Sequence, residues 1–157
     1  MPRSGRDRDL RSVYTGEHHG SGVATPPKRA AFRSLSLGSF HGCGVTVEER
    51  ALCWGPRHDD GQTAVPEGAS FSSVGAGGYH SCGVDRDSKR ARCWGRSDHG
   101  ETDVPPAARV AIVSAGQWHA CAIDLEGHPL CWGWDRYGQA SGVPARERRR
   151  LRGRESK

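Results

Sequence analysis

The sequence predicts an all-β fold built from three tandem repeats of a small antiparallel sheet. The first observation is composition: 22 of the 157 residues are Gly and 9 are Pro, and both types interrupt helices. The second is periodicity, because an offset of 39 residues aligns the sequence with itself and the same residue types recur in the same order. Repeats of this length indicate an array of supersecondary units.

Each repeat is defined by a series of shared positions. A glycine precedes an aromatic-His pair, a Cys lies two residues after the His, and a Cys-Trp-Gly tripeptide begins ten or eleven residues later. Another glycine and a Val-Pro pair close the repeat. In repeat order the shared residues are Gly38, Gly77 and Gly116; Phe40, Tyr79 and Trp118; His41, His80 and His119; Cys43, Cys82 and Cys121; and Cys53, Cys93 and Cys131.

These positions divide the chain into three full repeats and two flanking segments. The full repeats cover about 32–70, 71–109 and 110–144. Residues 1–31 contain a weaker echo of the pattern, which we interpret as a degenerate partial repeat and lead-in. Residues 145–157 lie outside the repeats and are expected to form a disordered basic tail.

Within one repeat, the segment from His119 to Gly133 predicts a hairpin. Strand-like residues flank the turn-forming segment 124–127, in which Gly127 supplies a positive φ. Residues 71–76 and 110–115 predict a further strand in front of the hairpin. Such a small sheet cannot bury its faces alone, so neighbouring repeats are expected to stack.

The segments GGYHSCGV, ARCWG, GQWHACAIDLEGHPLCWG and GQTAVP resemble the repeat of the regulator of chromosome condensation family, and are similar also to the repeats of β-lactamase inhibitory protein II. The resemblance implies a seven-bladed β-propeller whose loops and faces bind proteins, nucleotide-exchange targets or chromatin. Three to four repeats are about half of such a ring. The open blade edges would then favour self-association, unless the chain is an incomplete propeller fragment without independent function.

The recurrent tryptophans and histidines are interpreted as packing residues. A residue that recurs at one place in every blade fills the same interblade site, so Trp54, Trp94 and Trp132 are assigned to the core. The three repeated histidines are expected to be buried and hydrogen-bonded to the backbone. A zinc site would need a fourth ligand beyond one His and two Cys, and we predict neither a metal nor another cofactor.

The six cysteines leave two possibilities open. In the predicted hairpins, Cys43 lies opposite Cys53, Cys82 opposite Cys93, and Cys121 opposite Cys131, at a separation that permits disulfides. The even pairing favours three bridges in an oxidising compartment. The chain has no signal-like segment, which favours free thiols and a soluble, cytoplasmic protein, and free thiols are our expectation. A chain that has lost its signal peptide would be extracytoplasmic.

No catalytic motif is present in the sequence, so we predict a non-catalytic, protein-binding scaffold. Loops that vary between repeats are the expected contact surfaces. Trp134 is the aromatic residue expected to be most exposed. The candidate contact residues are Arg57, His58, Asp59, Ser97, Asp98, His99, Trp134, Asp135 and Tyr137.

The net charge of +5 suggests an alternative function. Clustered arginines bind polyanions by counterion release, and the C-terminal tail contains such a cluster. Chromatin or nucleic-acid association through this tail is therefore the second hypothesis. Its candidate contact residues are Arg148, Arg149, Arg150 and Arg152. No stretch is long and apolar enough to predict a membrane span.

Overall fold

The structure, a computed structural model, describes residues 26–55 and 60–142. The described residues form nine strands: β1 (Phe32–Leu37), β2 (Gly42–Thr46), β3 (Ala51–Trp54), β4 (Phe71–Ala76), β5 (His80–Asp85), β6 (Ala91–Gly95), β7 (Val110–Ala115), β8 (His119–Asp124) and β9 (Pro129–Gly133). No helix among these residues is long and apolar enough to cross a membrane.

The strands form three antiparallel sheets in sequence order: β1-β2-β3, β4-β5-β6 and β7-β8-β9. We call these sheets the first, second and third blade. The register of the first strand shifts in each blade at the equivalent place, between Phe32 and Ser34, Phe71 and Ser73, and Val110 and Ile112. The recurrence of this irregularity shows that the repeats share backbone geometry as well as residue types.

The turn between the second and third strands requires a positive φ in every blade. Gly127 has φ +90° in the third blade, while Glu49 and Lys89 adopt +64° and +59° in the other two. Asp85 and Asp124 begin two of these turns, and their carboxylates accept hydrogen bonds from turn N–H groups. A side chain that bonds its own backbone stabilises a turn without help from other parts of the chain.

The hydrophobic core lies between blades, not within them. One face of the first blade, with Cys43 and Val45, packs against Phe71, Val74 and Trp94 of the second. The opposite face of the second blade packs in the same way on the third. That second cluster comprises Cys82, Val84, Ala91, Val110, Val113, Ala120, Ala122 and Trp132. The side chains of Trp54, Trp94 and Trp132 are buried, as expected from their recurrence in each blade.

Equivalent hydrogen bonds tie each blade to the next. The indole nitrogen of Trp94 donates to the Gln62 carbonyl at 3.0 Å, and that of Trp132 donates to the Glu101 carbonyl at 2.9 Å. At the other end of the sheets, the turn carbonyls of Glu49 and Lys89 accept from the first N–H of the following blade, at 3.2 and 2.7 Å. These contacts satisfy polar groups that would otherwise be buried without partners.

Close approach of successive blades explains one of the repeated glycines. The N–H of Ser39 donates to the Gly77 carbonyl at 3.1 Å. A Cβ atom at Gly38 would collide with the same carbonyl oxygen. Only a residue without a side chain permits this approach.

The expectation of free thiols is wrong, because all six cysteines form disulfides. The bridges are Cys43–Cys53, Cys82–Cys93 and Cys121–Cys131, each joining directly opposite residues of the second and third strands of one blade. The Cα atoms are 4.0 to 4.1 Å apart. At this separation the sulfur atoms of facing Cys residues lie within bonding range. Our expectation of free thiols was based on the absence of a signal-like segment and did not take this geometry into account.

The predicted all-β architecture of propeller blades is confirmed. The strands predicted over residues 71–76 and 110–115, and the hairpin from His119 to Gly133, are all present. The described residues form three blades that do not close into a ring. Both terminal blades therefore keep one face that no described blade covers.

Candidate functional site

Two kinds of connection meet at the same end of each blade. The turn from first to second strand contains the aromatic residue of the aromatic-His pair, and the third strand ends where the following loop begins. Aromatic residues from both connections form two groups of touching rings, which together we call the aromatic rim. The aromatic rim consists of Phe40, Tyr79, His99, Trp118, Trp134 and Tyr137.

The rings of the aromatic rim contact one another across blades. Phe40 and Tyr79 have ring centroids 4.9 Å apart. Trp118 and Trp134 pack edge to face at 4.9 Å, and Tyr137 meets Trp134 at 5.6 Å. Such tilted and edge-to-face arrangements are the favourable geometries for aromatic pairs. The rim is thus a packed ridge of rings and not an open cage.

His99 joins the loop after the second blade to the third blade. Its ring centroid lies 6.2 Å from that of Trp118 and 6.0 Å from that of Trp134. The backbone N–H of His99 donates to the Glu101 carboxylate at 2.8 Å. The buried Glu101 side chain thereby fixes the loop that presents His99 on the surface.

Backbone hydrogen bonds anchor the rim loops to the turns beside them. The N–H of Arg96 donates to the Tyr79 carbonyl at 2.9 Å, and the N–H of Trp134 donates to the Trp118 carbonyl at 2.8 Å. Each loop therefore begins at a fixed place next to the aromatic residue of its own blade. Aromatic contact residues on a rigid frame lose little conformational entropy on binding.

Two arginines lie over rings of the rim. The guanidinium carbon of Arg96 is 5.5 Å from the Tyr79 centroid, and that of Arg136 is 5.8 Å from the Tyr137 centroid. Both distances are in the range of a cation–π contact. The side-chain hydrogen bond and charge of Asp98 raise the pKa of Arg96 above its ordinary value. This edge of the rim therefore combines aromatic and cationic character.

Ser97 and Asp135 stabilise the shape of the rim loops. The Ser97 hydroxyl accepts from the Thr102 N–H at 3.2 Å. The Asp135 carboxylate accepts from the N–H groups of Ala140 and Ser141 at 2.8 and 2.9 Å, and hydrogen bonds from Ser141 and Ala140 lower the pKa of Asp135. Two of the predicted contact residues thus hold loop backbone in place.

The remaining candidate contact residues differ in how exposed they are. Tyr137 is the most exposed aromatic residue of the rim, with 77% of its surface accessible, whereas Trp134 is half-buried against Trp118. Sequence reasoning ranked these two in the opposite order because it had no means to detect the Trp118 contact. Several further candidates lie outside the described residues: Arg57, His58, Asp59, Arg148, Arg149, Arg150 and Arg152.

Sequence reasoning did not identify Phe40, Tyr79 and Trp118 as surface residues. It used them only as markers of the repeat and assigned them no role. A signal was nonetheless available, because the start of the second strand and the end of the third must lie at one end of an antiparallel sheet. An aromatic residue in the turn before the second strand is therefore close to the loop that follows Trp-Gly.

The repeated histidines lie beneath the rim. His41 Nε2 is 2.7 Å from the Ser81 hydroxyl of the next blade, so this partner is a side chain and not the backbone group that the sequence predicted. His80 is buried, and its Nε2 has no hydrogen-bonding partner within residues 26–55 and 60–142. Burial lowers the pKa of His80, although the Glu101 carboxylate partly opposes this effect.

Possible metal ligands meet at the opposite end of the third blade. Ligand atoms of Asp124, Glu126 and His128 lie within 4.8 Å of one another in the β8–β9 turn. The Asp124 carboxylate already accepts from the N–H groups of Glu126 and His128, at 2.9 and 2.8 Å. Three ligands on an exposed turn fall short of the four in a structural zinc site. We assign this cluster a role in the turn.

Comparisons with known proteins agree with this architecture. The family model described as "Regulator of chromosome condensation (RCC1) repeat" matches residues 71–101 and 110–139. These segments are the second and third blades with the rim loops that follow them. No curated protein matches the chain.

Solved structures of several proteins are similar to the chain. The ectodomain of receptor kinase CR4 from Physcomitrella patens is 36% identical, with a TM-score of 0.61, over 69% of this chain and 31% of that one. The CRINKLY WD40 ectodomain of ACR4 from Arabidopsis thaliana is 31% identical, with a TM-score of 0.59, over 68% and 38%. Prp20p from Saccharomyces cerevisiae is 18% identical, with a TM-score of 0.57, over 66% and 33%.

The chain spans about a third of the length of these proteins. The likeness to Prp20p, at 18% identity, concerns the fold alone. The family match, the blade geometry and the repeated residues together identify the second and third blades as repeats of the regulator of chromosome condensation family.

Proposed function

We propose that this chain is a non-catalytic, protein-binding module that contacts its partner through the aromatic rim. The observation that carries the proposal is the run of ring contacts from His99, in the loop after the second blade, through Trp118 and Trp134 of the third blade to the exposed Tyr137. Aromatic residues and Arg are enriched at protein interfaces and among the residues that dominate binding energy.

The chemistry of the rim fits a peptide or protein segment with both apolar and acidic groups. Trp134 and Tyr137 offer apolar surface with polar edges, while Arg96 and Arg136 lie beside the rings and are exposed. An acidic side chain of the partner could pair with these arginines as apolar groups pack on the rings. Arg96 shares its charge with Asp98 in the free protein, so Arg136 is the cation better placed for this role.

The comparisons support a binding function of this class. The structure of Prp20p is described together with binding to Gsp1p and histones, and another describes Kap60 bound to yeast RCC1 (Prp20). Protein binding is therefore described for a protein that shares this fold. Fold similarity does not transfer a partner, and the partner of this chain is to be sought through the chemistry of its own rim.

We propose further that the chain works in an oxidising compartment. The three disulfides support this proposal, because such bridges persist outside the reducing cytosol. Two of the similar structures are ectodomains of receptor kinases. Mass spectrometry after alkylation of the unreduced protein from its native source should find none of the six cysteines alkylated, and alkylated cysteines there would contradict the proposal.

A displayed peptide library tests the rim. Peptides selected on the full-length, oxidised chain should bind the variant Tyr137→Ala or Trp134→Ala at least tenfold more weakly, because anchoring aromatic residues typically contribute about 2 kcal/mol or more. Tyr137→Ala is the decisive variant, since its exposed side chain is not needed for folding.

Leu125→Ala provides the matched control. Leu125 is also a large exposed apolar residue, but it lies in the β8–β9 turn at the opposite end of the blade. Binding should be unchanged in this variant. Selected peptides that bind all three variants equally well would show that the rim is not the binding surface.

A further inference from the structure

The third blade has a cavity at the end opposite the aromatic rim. The cavity has a volume of about 510 Å³ and lies between the loop that leads into β7 and the β8–β9 turn. A cavity of this size is in the range of small-molecule binding sites. The apolar part of its lining includes Ala108, Leu125, Pro129 and Leu130.

Two arginines from different blades are paired at this cavity. Arg109 lines the cavity, and Arg90 of the second blade is its partner in an isolated antiparallel β-bridge. A hydrogen bond of 2.7 Å from the Val110 N–H to the Lys89 carbonyl flanks the bridge. The arginines therefore form a non-hydrogen-bonded pair, the kind in which opposite side chains are closest. Both residues are exposed, and their side chains leave the backbone as close neighbours.

The arginine pair is specific to this junction of blades. At the junction of the first and second blades, the equivalent residues are Arg50 and Ser70. That junction therefore has one cation where this one has two. Like charges at directly opposite positions destabilise a sheet, so blade packing does not explain the second arginine. An anion between the two guanidinium groups offsets their repulsion, and Arg binds carboxylates and phosphates through paired N–H groups.

Other differences at the same junction remove an acidic group and add apolar surface. Glu49, at the junction of the first and second blades, forms salt bridges with Arg33 and Arg86. The equivalents of Glu49 and Arg86 at the second junction are Lys89 and Leu125. A further cation thus replaces the acidic residue, and an apolar wall of the cavity replaces an arginine.

The two carboxylates that line the cavity also bind within their own turn. The Asp124 carboxylate accepts from the N–H groups of Glu126 and His128. The Glu126 carboxylate lies 3.6 Å from Nδ1 of His128. Three cations, Lys89, Arg90 and Arg109, stand against these two carboxylates. The surroundings of the cavity therefore favour a negatively charged ligand.

We propose that this cavity binds a small amphipathic anion. The carboxylate, sulfate or phosphate group of the ligand pairs with Arg90 and Arg109, and its apolar part packs against Leu125 and Leu130. The proposal does not depend on the aromatic rim, because the cavity lies at the other end of the blade.

Nuclear magnetic resonance of the isotope-labelled, oxidised, full-length chain tests the proposal with phenyl phosphate as the probe. The amide resonances of Ala108, Arg109 and Leu125 should shift and reach saturation. Inorganic phosphate lacks the ring and benzyl alcohol lacks the charge, so each should bind about tenfold more weakly or less. Equal affinity for inorganic phosphate would show that the site takes no apolar group and would contradict the proposal.

Two matched variants locate the anionic group. Arg90→Gln/Arg109→Gln should weaken phenyl phosphate binding about tenfold or more, because both charge-assisted hydrogen bonds are lost. Arg50→Gln is the control, since Arg50 is an exposed arginine at the equivalent place of the first junction, and it should bind as the wild type does. Unchanged resonances elsewhere in the spectrum verify that each variant is folded. Equal binding by the two variants, or shifts that centre on Tyr137 or never saturate, would overturn the proposal.

Discussion

At the scale of single residues, one hydroxyl distinguishes the two interblade junctions. Ser81 Oγ donates to the Gln62 carbonyl at 2.8 Å and lies 2.7 Å from His41 Nε2. The equivalent residue in the third blade is Ala120, which has no hydroxyl, and the Nε2 of His80 is left without a partner among the described residues. The first junction is therefore better satisfied than the second.

Single substitutions at these two positions should have opposite effects on the free energy of unfolding. Ser81→Ala should lower the free energy of unfolding by roughly 1 to 3 kcal/mol, because it removes a buried partner of His41. Ala120→Ser should raise it by roughly 0.5 to 1.5 kcal/mol, because the new hydroxyl can reach both the Glu101 carbonyl and His80. Urea denaturation measures both. Destabilisation by Ala120→Ser would show that this junction has no room for the hydroxyl.

His80 also makes stability depend on pH. Burial lowers its pKa below the ordinary 6.5, against the opposing Glu101 carboxylate and His119 backbone, while the charge of His119 lowers it further. The unfolded chain therefore takes up a proton more readily than the folded chain. Stability from this group is complete above the unfolded pKa and is lost as pH falls through it towards the folded pKa.

His80→Gln should reduce this dependence. The thermal midpoint of the wild-type chain should fall between about pH 7.5 and pH 5.5 more steeply than that of the variant. Differential scanning calorimetry measures the two slopes. Asp85 and Asp135, whose pKa values are lowered by hydrogen bonds, lose their contributions only below the ordinary 3.8, outside this window. Equal slopes would mean that protonation of His80 does not contribute to the pH dependence of stability.

At the scale of the element, each blade is a three-stranded meander with a disulfide across its outer hairpin. The bridges close loops of similar length, with sequence separations of 10, 11 and 10. Their surroundings differ, because Cys82 is fully buried between blades while Cys121 is only partly buried. Chain entropy should therefore be nearly equal for the bridges, and packing should separate them.

Removal of two different bridges tests this distinction. Cys121→Ala/Cys131→Ala should cost about 2 to 3 kcal/mol, the value typical of a short closed loop. Cys82→Ala/Cys93→Ala should cost about 1 kcal/mol or more beyond that, since buried atoms are lost as well. Urea denaturation of the oxidised variants compares them directly. An equal or smaller cost for the second pair would argue against a packing contribution from Cys82.

At the scale of the whole molecule, the aromatic rim and the flat sides of the blades have different roles. The aromatic rim lies at one end of the blades, where turns and loops from neighbouring repeats meet. The flat sides of successive blades pack on each other and bury the hydrophobic core. The rim is therefore left for contact with a partner, while the flat sides hold the array together.

Sequence periodicity predicted the strands and hairpins of each repeat, and the family resemblance implied that they form propeller blades. The spacing of His119, Cys121 and Cys131 located a hairpin and the facing cysteines, because the register of an antiparallel pair follows from the length of its turn. The recurrence of Trp94 and Trp132 predicted that both are buried, because a residue at the same place in every blade fills the same interblade site. Local geometry determines such features, and neighbouring residues along the chain encode it.

Contacts between repeats were decided only in the tertiary structure. The sequence predicted neither the Trp118–Trp134 contact that half-buries Trp134, nor the Ser81 hydroxyl beside His41. Both contacts join residues that are distant along the chain, and they depend on the angle and distance at which whole blades stack. The repeated residues thus determined the structure of each blade and the order of the blades along the chain. The stacking of the blades decided which side chains are buried and which are exposed.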